Sequence, residues 1–181
     1  MQALNGLLQA IPSKTGGLSA YVTGQGRPLL LVHTVNASAS AAEVRTVFER
    51  MGQHRTVYAI DLPGYGASER TERLYTPRLM TDAILDLAAY IRTQHPEQAI
   101  DAFAASLSCE FLARAAVEQP ATFRTLSLVS PTGLSGLRLR QGPAGTTYGQ
   151  YSGLRQLRAQ VIDLIGLRGE TCPYKRLICW V

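Results

Sequence analysis

Five short runs of strand-forming residues alternate with helix-patterned segments over the first 130 residues, and this alternation leaves few architectures open. Pro28-Leu29-Leu30-Leu31-Val32-His33 is an unbroken apolar run, as a strand requires when both faces of its sheet are covered. Leu18-Ser19-Ala20-Tyr21-Val22-Thr23 alternates weakly and closes on Gly24-Gln25-Gly26. Thr56-Val57-Tyr58-Ala59-Ile60, residues 99–103 and Thr125-Leu126-Ser127-Leu128-Val129 complete the set. Between them, Ser38 or Ser40 caps a helix of about ten residues that carries Val44, Val47 and Phe48 on one side. Thr76-Pro77 starts a second helix with Met80, Ile84, Leu87, Ala88 and Ile91 along one face, ended by Pro96. Leu107, Phe111, Leu112 and Ala115 mark a third. Strand and helix in this order predict an α/β fold with a doubly wound, mostly parallel sheet.

The 181 residues suffice for one domain with a buried core, and the 46% hydrophobic, 17% charged composition excludes disorder and coiled coil. No apolar run exceeds five residues, so none can cross a bilayer, and the amino-terminus lacks the pattern of a secretory signal. Cys109, Cys172 and Cys179 fit neither a disulfide framework nor a metal site. A soluble cytoplasmic chain is expected. The net charge of +5 does not describe the body of the chain: 11 basic and 11 acidic residues cancel through Ser130, and the excess lies in residues 131–181. That location argues against a nucleic-acid partner. Gly24-Gln25-Gly26 precedes a strand rather than opening a helix, so no nucleotide is implied, and no other cofactor or metal is expected.

Residues 132–152 turn to Gly, Arg, Gln and Thr, an exposed excursion, before a helical stripe of Leu154, Leu157, Val161, Leu164 and Ile165. After Gly169 no regular element is evident. The expected division is a core over 1–135 and the start of a helical cap with an irregular basic tail over 136–181.

Chemistry concentrates in Ala102-Phe103-Ala104-Ala105-Ser106-Leu107-Ser108, a strand passing through a small-x-Ser-x-small turn into a helix. Such a turn strains the serine backbone and exposes its hydroxyl above the sheet, but the same pattern also suits a plain helix-capping serine. Four motifs taken together favour the first reading. The stretch from Gly26 to His33, Asp61-Leu62-Pro63-Gly64-Tyr65-Gly66-Ala67-Ser68, the Ser106 turn, and Leu126-Ser127-Leu128-Val129-Ser130-Pro131 resemble the α/β-hydrolase family, in the family's order, over roughly residues 17–135.

That resemblance implies a serine hydrolase acting on a small-molecule ester or related compound, with Ser106 as nucleophile and the Leu107 backbone N–H as one oxyanion donor. The second donor falls on Val35, where His33-Thr34-Val35 stands in place of His-Gly-x. A missing glycine puts the shape of that loop in question. Asp61 is expected to fix its turn, and His54 and His95 to lie exposed near helix ends. His33 is either structural or a base, and Cys109 is a small buried hydrophobe.

A serine needs a base, and in this family the order is Ser, acid, His. No histidine follows Ser106, and the available acids, Glu110, Glu118, Asp163 and Glu170, do not complete a triad in family fashion. Two expectations compete. Either the chain is a truncated or frame-shifted hydrolase lacking its last strands, and inactive as it stands, or it is a non-catalytic binding protein or gene fragment that keeps the sheet. The tail, with two of three cysteines and the sole tryptophan, favours the first.

Overall fold

The computed structural model describes residues 3–131 and the backbone of 176–180. The strands are β1 (Leu7–Ile11), β2 (Leu18–Thr23), β3 (Pro28–Val32), β4 (Thr56–Asp61), β5 (Ile100–Ala105), β6 (Phe123–Val129) and β7 (Arg176–Trp180). The helices are α1 (Arg45–Met51), α2 (Pro77–Gln94) and α3 (Ser108–Glu118). One mixed sheet runs in the order β1-β2-β4-β3-β5-β6-β7. β1 and β2 form an antiparallel pair, and β2 is antiparallel to β4. From β4 across to β7 every pairing is parallel.

All five residues of β3 are buried because each face of the strand meets a different layer. Leu30 and Val32 join Ile60, Ile84, Leu87, Ile91 and Leu112 on the side covered by α2 and α3. Leu29 and Leu31 join Val57, Ala59, Val44 and Phe48 on the side of α1. The strand order also reverses here: the chain steps from β3 outward to β4, then returns to place β5 on the other side of β3. At such a switch point the loops after neighbouring strands diverge and leave a crevice at the carboxyl edge of the sheet.

Local chemistry sets the element ends. Ser40, one of the two expected caps, is the one used; its Oγ accepts from Ala42 N at 3.3 Å. The segment opens as a 3-10 turn over Ala41–Val44 before α1. Thr76 Oγ1 accepts from Leu79 N at 3.2 Å with Pro77 in the first turn, so α2 starts as its sequence requires. β5 runs two residues beyond the expected 99–103 and delivers the chain directly to Ser106.

At the opposite, amino end of β5, Asp101 is buried between three partners. Arg55 Nη2 lies 2.5 Å from Oδ2, Arg124 Nε lies 2.8 Å from Oδ1 and Arg124 Nη2 also binds Oδ2, and Thr125 Oγ1 donates to Oδ1 at 2.5 Å. Arg55 further donates to the Arg27 and Pro28 carbonyls, so a single carboxylate ties together the starts of β3, β4, β5 and β6.

Two strands depart from the sequence reading. β1 is an edge strand, exposed along most of its length, and therefore shows no apolar alternation. β7 lies where no regular element was expected and pairs with β6 from Thr125↔Arg176 to Val129↔Trp180. The expected excursion over 132–152, the stripe from Leu154 to Ile165 and the boundary at 135/136 lie outside the described residues. No helix among the described residues is long and apolar enough to cross a membrane.

Candidate active site

Ser106 has φ +54, a left-handed conformation that costs an ordinary L-residue about 1–3 kcal/mol and persists only where surrounding structure imposes it. Here the constraints are visible. Its N–H donates to Val129 O of β6 at 2.9 Å, and its C=O accepts from Cys109 N at 3.1 Å, a turn that leads from the end of β5 at Ala105 into α3 at Ser108. The helix can approach this closely because Ala104 and Ser108 are small, and both are fully buried. Ser108 Oγ donates to His33 O at 2.5 Å, which locks the first turn of α3 to the loop after β3. Cys109 is buried as expected, its thiol 3.3 Å from Ala104 O. Ser106 is half-buried, and its Oγ has no hydrogen-bond partner among the described residues.

His33 is a structural residue. Nε2 accepts from Leu62 N at 3.1 Å, so the proton sits on Nδ1, which donates to Thr34 O at 2.5 Å. Burial lowers its pKa, outweighing the Thr34 carbonyl and the charges of Asp61 and Glu43. With both nitrogens engaged in the neutral tautomer, the ring has no position free to accept a serine proton. The edge of Tyr65 packs on it, centroids 5.3 Å apart.

The same bond orients the next donor. In a trans peptide C=O and N–H point in opposite directions, so holding Thr34 O against His33 turns Val35 N–H away from the imidazole. Thr34's own N–H donates to Glu43 Oε2 at 3.0 Å and its hydroxyl to the same oxygen at 2.6 Å. Asn36 Nδ2 reaches Glu43 Oε1 at 2.7 Å. Burial alone would raise the Glu43 carboxyl, but these Thr34 and Asn36 donors hold it below the usual range. Threonine in place of glycine carries no backbone strain, since Ser106 and Ser130 are the two non-glycine residues with positive φ among those described. Parallel pairing of Val32 with Ala104 sets the loop after β3 beside the loop after β5. Neither Val35 N nor Leu107 N has a hydrogen-bond partner among the described residues.

The other polar candidates have structural employment. Asp61 is fully buried, Oδ1 accepting from Ala41 N at 2.7 Å and Oδ2 from Ala67 N at 2.8 Å. Gly66 at φ +50 passes so close that an added Cβ would lie 2.0 Å from Asp61 Cγ. His54 is exposed, as expected. His95 is not: it is half-buried at the end of α2, Nε2 lying 3.0 Å from Tyr58 Oη, and burial lowers its pKa. Glu110 pairs with Arg114 at 3.0 Å and Glu118 with Arg78 at 2.6 Å. Asp163 and Glu170 lie outside the described residues.

Seven strands in this order, with a left-handed serine after the central parallel strand, can be compared directly with solved structures. A serine hydrolase involved in carbazole degradation superposes with TM-score 0.65 at 18% identity, covering 72% of this chain and 50% of that one. The fold is that of the α/β-hydrolases. A haloalkane dehalogenase from Agrobacterium tumefaciens matches at TM-score 0.59 and 20% identity, over 70% of this chain and 42% of that one. E-2-(acetamidomethylene)succinate hydrolase matches at 0.58 and 20%, over 68% and 43%. The chain thus spans half or less of the length of these α/β-hydrolases. No protein-family model and no curated protein sequence matches it.

Sequence reasoning missed Glu43, whose partners Thr34 and Asn36 stand seven to nine residues earlier in the same connection, and the hydroxyl of Ser108, legible only as a small residue. Neither carries a local pattern that signals its role.

Proposed function

We propose that this chain is the nucleophile-bearing part of a serine hydrolase that transfers the acyl group of a small-molecule ester or related substrate to Ser106. The observation that carries the reading is the left-handed backbone of Ser106 at the strand-to-helix turn. In the proposed step, Oγ bonds to the carbonyl carbon, and its proton passes to a base. Negative charge gathers on the carbonyl oxygen, and the Val35 and Leu107 N–H groups receive it. Collapse then breaks the ester C–O bond, the departing oxygen takes the proton back from the base and leaves as the alcohol, and the acyl group stays on Ser106.

None of the three histidines serves as the base in this reading: His33 is committed on both nitrogens, His95 bonds Tyr58, and His54 lies in the turn after α1. The chain by itself therefore acylates slowly and turns over poorly. Loss of one triad member still leaves roughly 10³–10⁴-fold catalysis over water from the oxyanion donors and binding.

Long incubation with a fluorophosphonate probe tests this. Slow labelling that is absent in Ser106→Ala and accelerated by added imidazole, a substitute base, is the expected result. A folded chain that takes no label, or that labels equally well as Ser106→Ala, overturns the nucleophile and leaves a non-catalytic binding protein.

A further inference from the structure

We infer that Glu43 is the positioning residue of the oxyanion pocket, its carboxylate clamping the loop after β3 so that Val35 N–H stays aligned beside Ser106. The inference rests on the serine-nucleophile reading above.

Three donors from two residues converge on this side chain: Thr34 N and Thr34 Oγ1 on Oε2, and Asn36 Nδ2 on Oε1. Asn36 in turn donates to Thr34 Oγ1 at 2.9 Å and accepts from Ser38 N at 2.9 Å, so the clamp extends over residues 34–38. Glu43 itself stands on a rigid base. It belongs to the 3-10 turn whose Ala41 and Val44 are buried and whose Ala41 N–H is held by Asp61. Force is thus carried from the buried turn aspartate through Ala41 to Glu43 and on to Thr34.

The arrangement answers a specific geometric need. Thr34 C=O is fixed by His33, but one contact leaves the peptide free to pivot about it. Engaging the Thr34 N–H as well fixes the peptide planes on both sides of the residue, and with them the direction of Val35 N–H. It also withdraws Thr34 N–H from the pocket, so that Val35 supplies the donor. A carboxylate suits this place because it accepts all three hydrogen bonds and needs no donor in return.

The test compares wild type, Glu43→Ala and Glu43→Gln in the full chain by two measurements. Amide hydrogen exchange reads the clamp, and fluorophosphonate labelling at varied probe concentration separates probe binding from the rate at saturation. In Glu43→Ala the Thr34 amide exchanges at least about tenfold faster, while Leu31 and Ile60 in the sheet keep their protection. The saturated labelling rate falls roughly 10–100-fold with little change in probe binding, the size of loss expected when a reacting group is displaced by about an ångström. Glu43→Gln, which retains one acceptor oxygen, recovers most of that rate. If Glu43→Ala frees the Thr34 amide yet labels at the wild-type rate, or if Thr34 exchange does not change, the positioning role is overturned while the nucleophile stands. If Glu43→Ala loses sheet protection, Glu43→Gln decides: a folded Gln variant with faster Thr34 exchange and an unchanged rate overturns the role. If wild type takes no Ser106-dependent label, the nucleophile reading fails and this inference with it.

Discussion

Replacing Asp101 with alanine removes the carboxylate that gathers the starts of four strands, and its cost can be worked from the contacts. Arg55, both sides of the Arg124 fork and the Thr125 hydroxyl all lose their acceptor. Removing one partner of a buried ion pair costs about 3–5 kcal/mol because the remaining charge is stranded. Here the guanidiniums keep partial access to water, the side chains of Arg55 and Arg124 being 20% and 35% exposed. Screening therefore places the loss near the bottom of that range, about 3 kcal/mol. With a urea m-value of about 2 kcal/mol/M for a chain of this size, the midpoint should fall by about 1.5 M. Asp101→Asn, which keeps the shape but not the charge, should fall by roughly half as much. The pH dependence adds a second check. Burial alone would raise the Asp101 carboxyl, but hydrogen bonds from Arg124, Thr125 and Arg55 outweigh it and hold the pKa below the usual value. A depressed native pKa means the stabilisation is complete above the unfolded pKa of about 4 and is lost as pH falls through the native value. Urea midpoints of wild type and Asp101→Asn, followed from about pH 7 to about pH 3, should therefore converge in acid. A neutral-pH shift for Asp101→Ala below about 0.3 M, or a gap that widens in acid, would refute the reasoning.

Three further outcomes follow from the geometry. Ser106→Gly removes a left-handed L-residue, so it should stabilise the fold by about 1 kcal/mol in urea while abolishing labelling; destabilisation would contradict the strain assignment. Gly66→Ala meets both a positive φ and the Asp61 carboxylate, and should destabilise by at least about 2 kcal/mol in the same assay. Thr76→Ala removes the cap of α2 and should cost about 1 kcal/mol, with faster exchange of the Leu79 amide as the site-specific sign.

Much of this sheet was legible because its central strands are buried on both faces, and such strands record their environment in composition alone. Pro28-Leu29-Leu30-Leu31-Val32 is the clearest example, and Thr76-Pro77 marks its helix start with equal economy. β1 left no such record: four of its residues, Leu7 to Ala10, escape full burial, so nothing forces alternation on them. Ser106 was visible through its small neighbours, and its backbone strain follows from them. The polar contacts were not visible. Glu43 meets Thr34 nine residues away in the same connection after β3, and Arg55 meets Asp101 across 46 residues. His95 was misplaced because Tyr58, which half-buries it, comes from a distant strand. Local pattern encodes which face is apolar, whereas ion pairs and caps between elements depend on how those faces are assembled.

The pairing of β6 with β7 has a consequence for the order in which the sheet is made. Strands β1 to β6 are complete once residue 129 has emerged, but the partner that covers the outer edge of β6 begins only at Arg176. The 130–175 connection must be synthesised and closed first, and long-range parallel pairing of this kind is slow. During that interval a nascent chain presents the unpaired N–H and C=O groups of β6, an open edge able to recruit a strand from a neighbouring chain. The five residues of β7 thus cover the outer edge of β6. Deleting 176–181 is expected to show its effect first in aggregation during expression, before any effect on the loops around Ser106.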